Sequence, residues 1–268
     1  MKESKIEWTD STVNFWMGCN KISTGCKYCY MYRMMEKDGK SGNSIQRVGY
    51  ETFYKAYDWK KPRRIFTCSM SDFFLAEADE WRKDAWKLIK QTPQHQWQIL
   101  TKRPERIQKC LPDDWGSGYN NVWIGVSIEN QAYLHRAEIL SKIPAHMRFV
   151  SAEPLIGEID FAAAGKESIL QHIHWCIIGG ESGNDFGKYR YRECKIEWIE
   201  KLMAEMKAND VKVFVKQLGT FQKEELHLKD SHAGDMSEWA QHLQVREYPD
   251  THNNCLNNIN VKEKVIIV

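Results

Sequence analysis

The chain has 268 residues, 42% of them hydrophobic and 28% charged, with a formal net charge of +2. That length suits one β/α barrel or two smaller domains, and the composition excludes a disordered or low-complexity chain. So small a charge excludes recruitment of nucleic acid by a whole-molecule field, and residues 1–8 carry charges with no apolar run behind them, so neither a signal peptide nor a membrane span is expected and the expected compartment is the cytoplasm.

Seven short apolar runs, rich in β-branched and aromatic residues, read as strands over residues 12–17, 64–68, 96–100, 122–127, 147–151, 174–178 and 212–215. Their near-continuous apolarity suits parallel strands covered on both faces. Helical spacing of apolar residues appears over 80–91, 130–143 and 195–209, with Pro93 and Pro144 stopping the first two. The alternation predicts an α/β fold, a partial (β/α) barrel of about six or seven parallel strands over residues 1–220. Beyond Gly219 the period weakens, and residues 221–268 read as a polar extension or lid. Within it, Asp235 is the expected N-cap of a short helix over 235–243, and 261–268 the expected edge strand.

Polar and charged residues follow each predicted strand. They are Ser69, Ser71 and Asp72, then Lys102 and Arg103, then Ser127, Glu129 and Asn130. Further along come Glu153, the Gly179-Gly180-Glu181 turn and Lys216. Carboxyl ends of successive parallel strands converge on one mouth, where such folds place their chemistry. Helix caps explain the serines, but they explain Lys102, Arg103, Glu153, Glu181 and Lys216 poorly. Lys102, Arg103, Glu153 and Lys216 are therefore the candidate catalytic or substrate-contacting residues, suited to a charged substrate.

Cys19, Cys26 and Cys29 stand in a C-x6-C-x2-C arrangement directly after the first predicted strand, between Gly18 and Tyr30. Three thiolates so spaced can hold three irons of a 4Fe-4S cube and leave the fourth iron open. Structural zinc would want a fourth ligand from Cys68 or a histidine, and a group of inert cysteines is the remaining alternative. Cys68, Cys110, Cys176, Cys194 and Cys255 are scattered singly and read as small buried hydrophobes.

The C-x2-C pair with Tyr28 before Cys29, placed after the first strand of a β/α barrel, resembles the radical S-adenosylmethionine (SAM) superfamily, whose usual first gap is three residues rather than six. Asn14 to Cys19, Gly25 to Tyr30, Thr101 to Pro104, Ser151 to Leu155, Gly179 to Gly183, Lys216 to Gly219 and the stretch from Gly234 to Glu247 together resemble a phage-associated three-cysteine family of radical-SAM-like proteins. The resemblance implies a 4Fe-4S cluster on the three cysteines and SAM as cofactor, cleaved by one electron to a 5'-deoxyadenosyl radical. It also implies SAM contacts from Ser69, Ser71 and Asp72, and from Ser127, Glu129 and Asn130, with Gly179, Gly180 and Glu181 approaching the adenosine. The expected activity is modification or repair of a polyanionic substrate, nucleic acid or nucleotide before peptide. Flavodoxin or ferredoxin is the expected electron donor, and a further protein partner is compatible. The alternative is a non-catalytic iron-sulfur or zinc protein that binds a partner or senses redox state.

Overall fold

The computed structural model describes residues 3–250. In chain order the strands are β1 (Ser11–Val13), β2 (Trp16–Met17), β3 (Gln46–Arg47), β4 (Arg64–Thr67), β5 (Gln96–Thr101), β6 (Val122–Ser127), β7 (Met147–Ala152), β8 (Trp175–Gly179) and β9 (Lys212–Gln217). The helices are α1 (Tyr30–Lys37), α2 (Tyr50–Tyr54), α3 (Asp79–Gln91), α4 (Ile107–Cys110), α5 (His135–Ser141), α6 (Ile196–Ala208) and α7 (Thr220–Glu225). Strands β1 and β4 to β9 form one sheet in the order β1-β4-β5-β6-β7-β8-β9, parallel at every pairing and curled into a half-barrel. Each strand pairs with the next one of the sheet in sequence, so every carboxyl end opens on the same rim.

The expected first strand over 12–17 is interrupted. Asn14 leaves the sheet and accepts hydrogen bonds from Ser69 Oγ and the Met70 amide (3.2 and 2.9 Å). Trp16–Met17 then pair antiparallel with Gln46–Arg47 instead. The expected helix over 130–143 is likewise divided into a 3-10 turn at Gln131–Tyr133 and α5.

Period two decides which side chains face inward. On the concave face Trp123, Phe149, Trp175 and Phe214 meet Trp8, Phe66 and Ile177 in one aromatic cluster. Trp8 lies 4.6 Å from Phe66 and Tyr248 lies 5.4 Å from Trp175, so the two ends of the described chain close the amino-terminal half of the half-barrel. The convex face is covered by α3, α5 and α6, whose Trp86, Leu88, Leu140, Ile199 and Met206 belong to the main core. Beyond the aromatic layer Ser127 pairs with Ser151, and Glu129, Glu153 and Glu181 follow just past the carboxyl ends of β6, β7 and β8.

The described part of the expected extension packs on the barrel. Ala233, Trp239 and Leu243 join the main core, and residues 245–247 run antiparallel beside β9, with Val215 N to Val245 O and Glu247 N to Val213 O both at 2.8 Å. Asp235 caps as expected, accepting from the Ser237 amide at 2.9 Å, but the chain beyond it forms two 3-10 turns, Met236–Glu238 and Gln241–Leu243, rather than a continuous helix. The edge strand expected over 261–268, and Cys255, lie outside the described residues. Among those described, no helix is long and apolar enough to cross a membrane.

Candidate functional site

The loop from Gly18 to Tyr30 lies over the carboxyl-terminal mouth and is fastened from the ends of β4, β5, β6 and β8. From the β4 end, Ser71 Oγ donates to Gly18 O at 2.5 Å, and Ser69 O accepts from the Tyr30 hydroxyl, also at 2.5 Å. From the β5 end comes Arg103, 7% exposed. Its guanidinium donates to Asp72 Oδ2 (2.9 Å) and Asn20 O (2.7 Å) and stands 3.8 Å from Cys19 Sγ. At the β6 end, Glu129 is fully buried and accepts from Lys102 Nζ (2.5 Å), Arg136 (2.8 Å) and Ser23 Oγ of the loop (2.6 Å). A Cβ on Gly25 would come within 2.5 Å of Glu129, so the loop can lie this close only because residue 25 is glycine.

From beyond β8, Glu181 takes a bidentate pair from Arg192 at 2.5 and 2.7 Å, and Arg192 also donates to Thr24 O at 2.8 Å. Tyr133 completes the set by accepting from the Thr24 amide at 2.9 Å. None of Arg136, Ser23 and Tyr133 is conspicuous in the sequence. The one available signal for Arg192 is its place in the basic run 188–192, eleven residues after Glu181.

The three cysteines are free thiols, Cys26 buried and the others partly so. Cys19 and Cys29 pack against the apolar group of Met31, Tyr32, Met35, Met70 and Tyr189. Burial, and then the Asp72 carboxylate, push the Cys19 thiol up to about 12, while Arg103 pulls it down. Burial also raises Cys29, against which Lys102 acts. Among the described residues no three His, Cys, Asp or Glu side chains converge closely enough to hold a single metal ion.

Several strand-end residues are placed differently from the cofactor contacts that the resemblance implies. The Asp72 carboxylate is 5% exposed and already accepts from Thr101 Oγ1, the Phe74 and Lys102 amides and Arg103. Asn130 Oδ1 caps the turn after β6 by accepting from the Ala132 amide at 3.0 Å. Gly180 passes the backbone of the segment after β9, where a Cβ would lie 2.1 Å from Leu218 O, which accounts for this glycine without a ligand. Ser127 is 3% exposed, and its carbonyl accepts from Arg136. Lys216 pairs with Glu153, their side chains 17% and 21% exposed, and Lys102 is 20% exposed beside Glu129, so these three remain in contact with the open mouth. The expected burial of Cys68, Cys176 and Cys194 holds, whereas Cys110 is only partly covered.

The fold and the loop define a class, an α/β half-barrel protein that carries a cysteine-bearing loop held across its carboxyl-terminal mouth by hydrogen bonds to ion-paired side chains. Residues 3–251 match the family described as protein of unknown function DUF5131, and the chain belongs to that family. No curated protein and no solved structure is significantly similar to it.

Proposed function

We propose that the protein binds a 4Fe-4S cluster through Cys19, Cys26 and Cys29 and acts as a radical SAM-type enzyme on a polyanionic substrate, nucleic acid or nucleotide. The observation that carries this reading is the placement of three free thiols on one loop above a parallel half-barrel mouth, two of them in an apolar setting and flanked by Arg103 and Lys102.

The donor set fits the group. Thiols raised by burial, as those of Cys19 and Cys29 are, need a positive partner before they ionise, and iron supplies one. A cube receives each thiolate on a different iron, so its ligands need not converge as those of a single zinc ion do. A cluster with one open iron would supply the chelation of SAM and the electron that breaks its sulfonium bond.

The rest is done by the chain. Arg103 orients Cys19 and holds the Asn20 carbonyl, while Glu129 anchors the loop through Ser23. Lys216 and Glu153 offer a cation and an anion side by side at the mouth, suited to the amino and carboxylate groups of an amino acid moiety or to a charged substrate. Flavodoxin or ferredoxin is the proposed electron source.

Protein purified and reconstituted without oxygen should be brown with about four irons per chain, and should form 5'-deoxyadenosine from SAM under dithionite. Single replacement of Cys19, Cys26 or Cys29 by Ala should abolish both. Stoichiometric zinc without iron in the reconstituted wild type would overturn this reading in favour of a partner-binding or redox-sensing protein.

A further inference from the structure

The interior of the mouth is close to electroneutral, because Lys102, Arg103, Arg192 and Lys216 each face a carboxylate. Its rim is not. Residues 18–40 carry five cations against Glu36 and Asp38, and residues 181–195 carry four against Glu181, Asp185 and Glu193. These two segments together exceed the charge of the whole chain, formally +2, so the rest of the molecule is net acidic.

The segments form one surface. Lys188 pairs with Glu36 of α1, and Tyr189 is buried among Met31, Tyr32 and Met35. Arg192 reaches the Thr24 carbonyl and lies 5.3 Å from the Tyr28 ring. Large exposed apolar side chains gather here as well. Among the described residues seven are exposed, and Ile22, Tyr30, Met34 and Phe186 all belong to these two segments. Phe186, 80% exposed, stands at the tip of the loop closed by the Asn184–Arg190 bridge.

We propose that this rim docks single-stranded nucleic acid, with phosphates on exposed cations such as Lys27, Lys37 and Arg190 and bases stacked on Tyr30 and Phe186. A positive surface with exposed ring faces is what an unpaired strand requires, since every base has a face to stack. A duplex hides those faces and would satisfy the cations while leaving both rings in water. The proposal names the substrate class of the proposed radical SAM-type enzyme, and it rests on that reading for what happens to the delivered nucleotide.

The test is fluorescence anisotropy of the full chain with labelled oligothymidylate, oligouridylate and a duplex of equal length, with iron measured in the same samples. Single strands should bind more tightly than duplex, and binding should fall as salt rises. Phe186→Ala should weaken single-strand binding about tenfold, as loss of one stacked base does. Lys27→Glu with Arg190→Glu should weaken it at least as much. Lys83→Glu with Lys87→Glu, on α3 and outside both rim segments, should leave it unchanged, and melting temperatures should show all variants folded. Equal or better duplex binding, indifference to the rim changes, or a preference for an acidic peptide would overturn the proposal. Iron-loaded protein that ignores single strands removes the docking surface alone, whereas single-strand binding by protein that never takes up iron removes the radical reading and leaves the surface standing. A difference between the thymidylate and uridylate arms assigns the strand as DNA or RNA.

Discussion

Arg103 does three things with one planar fork, bridging Asp72, the Asn20 carbonyl and Cys19 while almost wholly buried. Lysine carries the same charge but cannot span those partners at once. Arg103→Lys should therefore fold yet loosen the loop, and hydrogen exchange of the amides over 18–30 should speed up while that of β5 does not. Exchange unchanged in the loop would mean that Arg103 serves Asp72 alone. Arg103→Ala goes further, leaving the Asp72 carboxylate buried without its cation, and breaking a buried pair in this way costs about 3–5 kcal/mol. Denaturant titration checks that figure. The bias of Arg103 toward the loop also separates it from Lys216 and Lys102, whose side chains stay partly open to solvent.

At the scale of an element, the carboxyl end of β6 is the point where loop and barrel are locked. Glu129 is opposed by burial, which disfavours its charge, but Lys102 and Arg136 outweigh it, and the carboxyl titrates below the ordinary glutamate range. A folded value lowered in this way adds stability above the unfolded carboxylate value of about 4.3 and loses it as pH falls through the folded one. Wild-type melting temperature should accordingly drop more steeply below about pH 4.3 than that of Glu129→Gln. Equal acid slopes would show that Glu129 contributes nothing to the acid response. Gly25→Ala attacks the same contact from the loop side, where a Cβ would meet Glu129 at 2.5 Å. Overpacking of this kind costs about 1–3 kcal/mol, and because the loop must lift to relieve it, reconstituted iron content should fall together with stability.

Across the whole molecule, the concave aromatic layer divides the half-barrel into a filled lower half and a polar mouth. Trp175 is its hub, in ring contact with Trp8, Trp123, Phe149, Phe214 and Tyr248. Trp175→Ala should cost about 3–5 kcal/mol. Since residues 4–10 and 245–248 enter the same layer, unfolding should remain a single transition by fluorescence and by far-UV circular dichroism. Separate transitions would show the segment after residue 220 to be an independent unit. The division also explains the charge arrangement, because cations buried at strand ends must be paired, while those on the rim remain solvated and available.

Repeated apolar runs and their polar successors were enough to identify a parallel α/β sheet with its polar residues gathered at one end, because strand period and chain direction are local properties that each segment carries by itself. The spacing of Cys19, Cys26 and Cys29 is local in the same way. Pairing is not local. Nothing near Lys102 in the chain announces Glu129, and nothing near Arg192 announces the Thr24 carbonyl 168 positions away. The break after Val13 depends on Ser69 and Met70 answering Asn14, and the need for glycine at Gly180 depends on the backbone at Leu218. The sequence by itself thus determined which residues stand at the mouth. Only the tertiary structure decided which of them hold the cysteine loop and which remain open, since charge neutralisation and close approach are properties of pairs that the fold alone brings together.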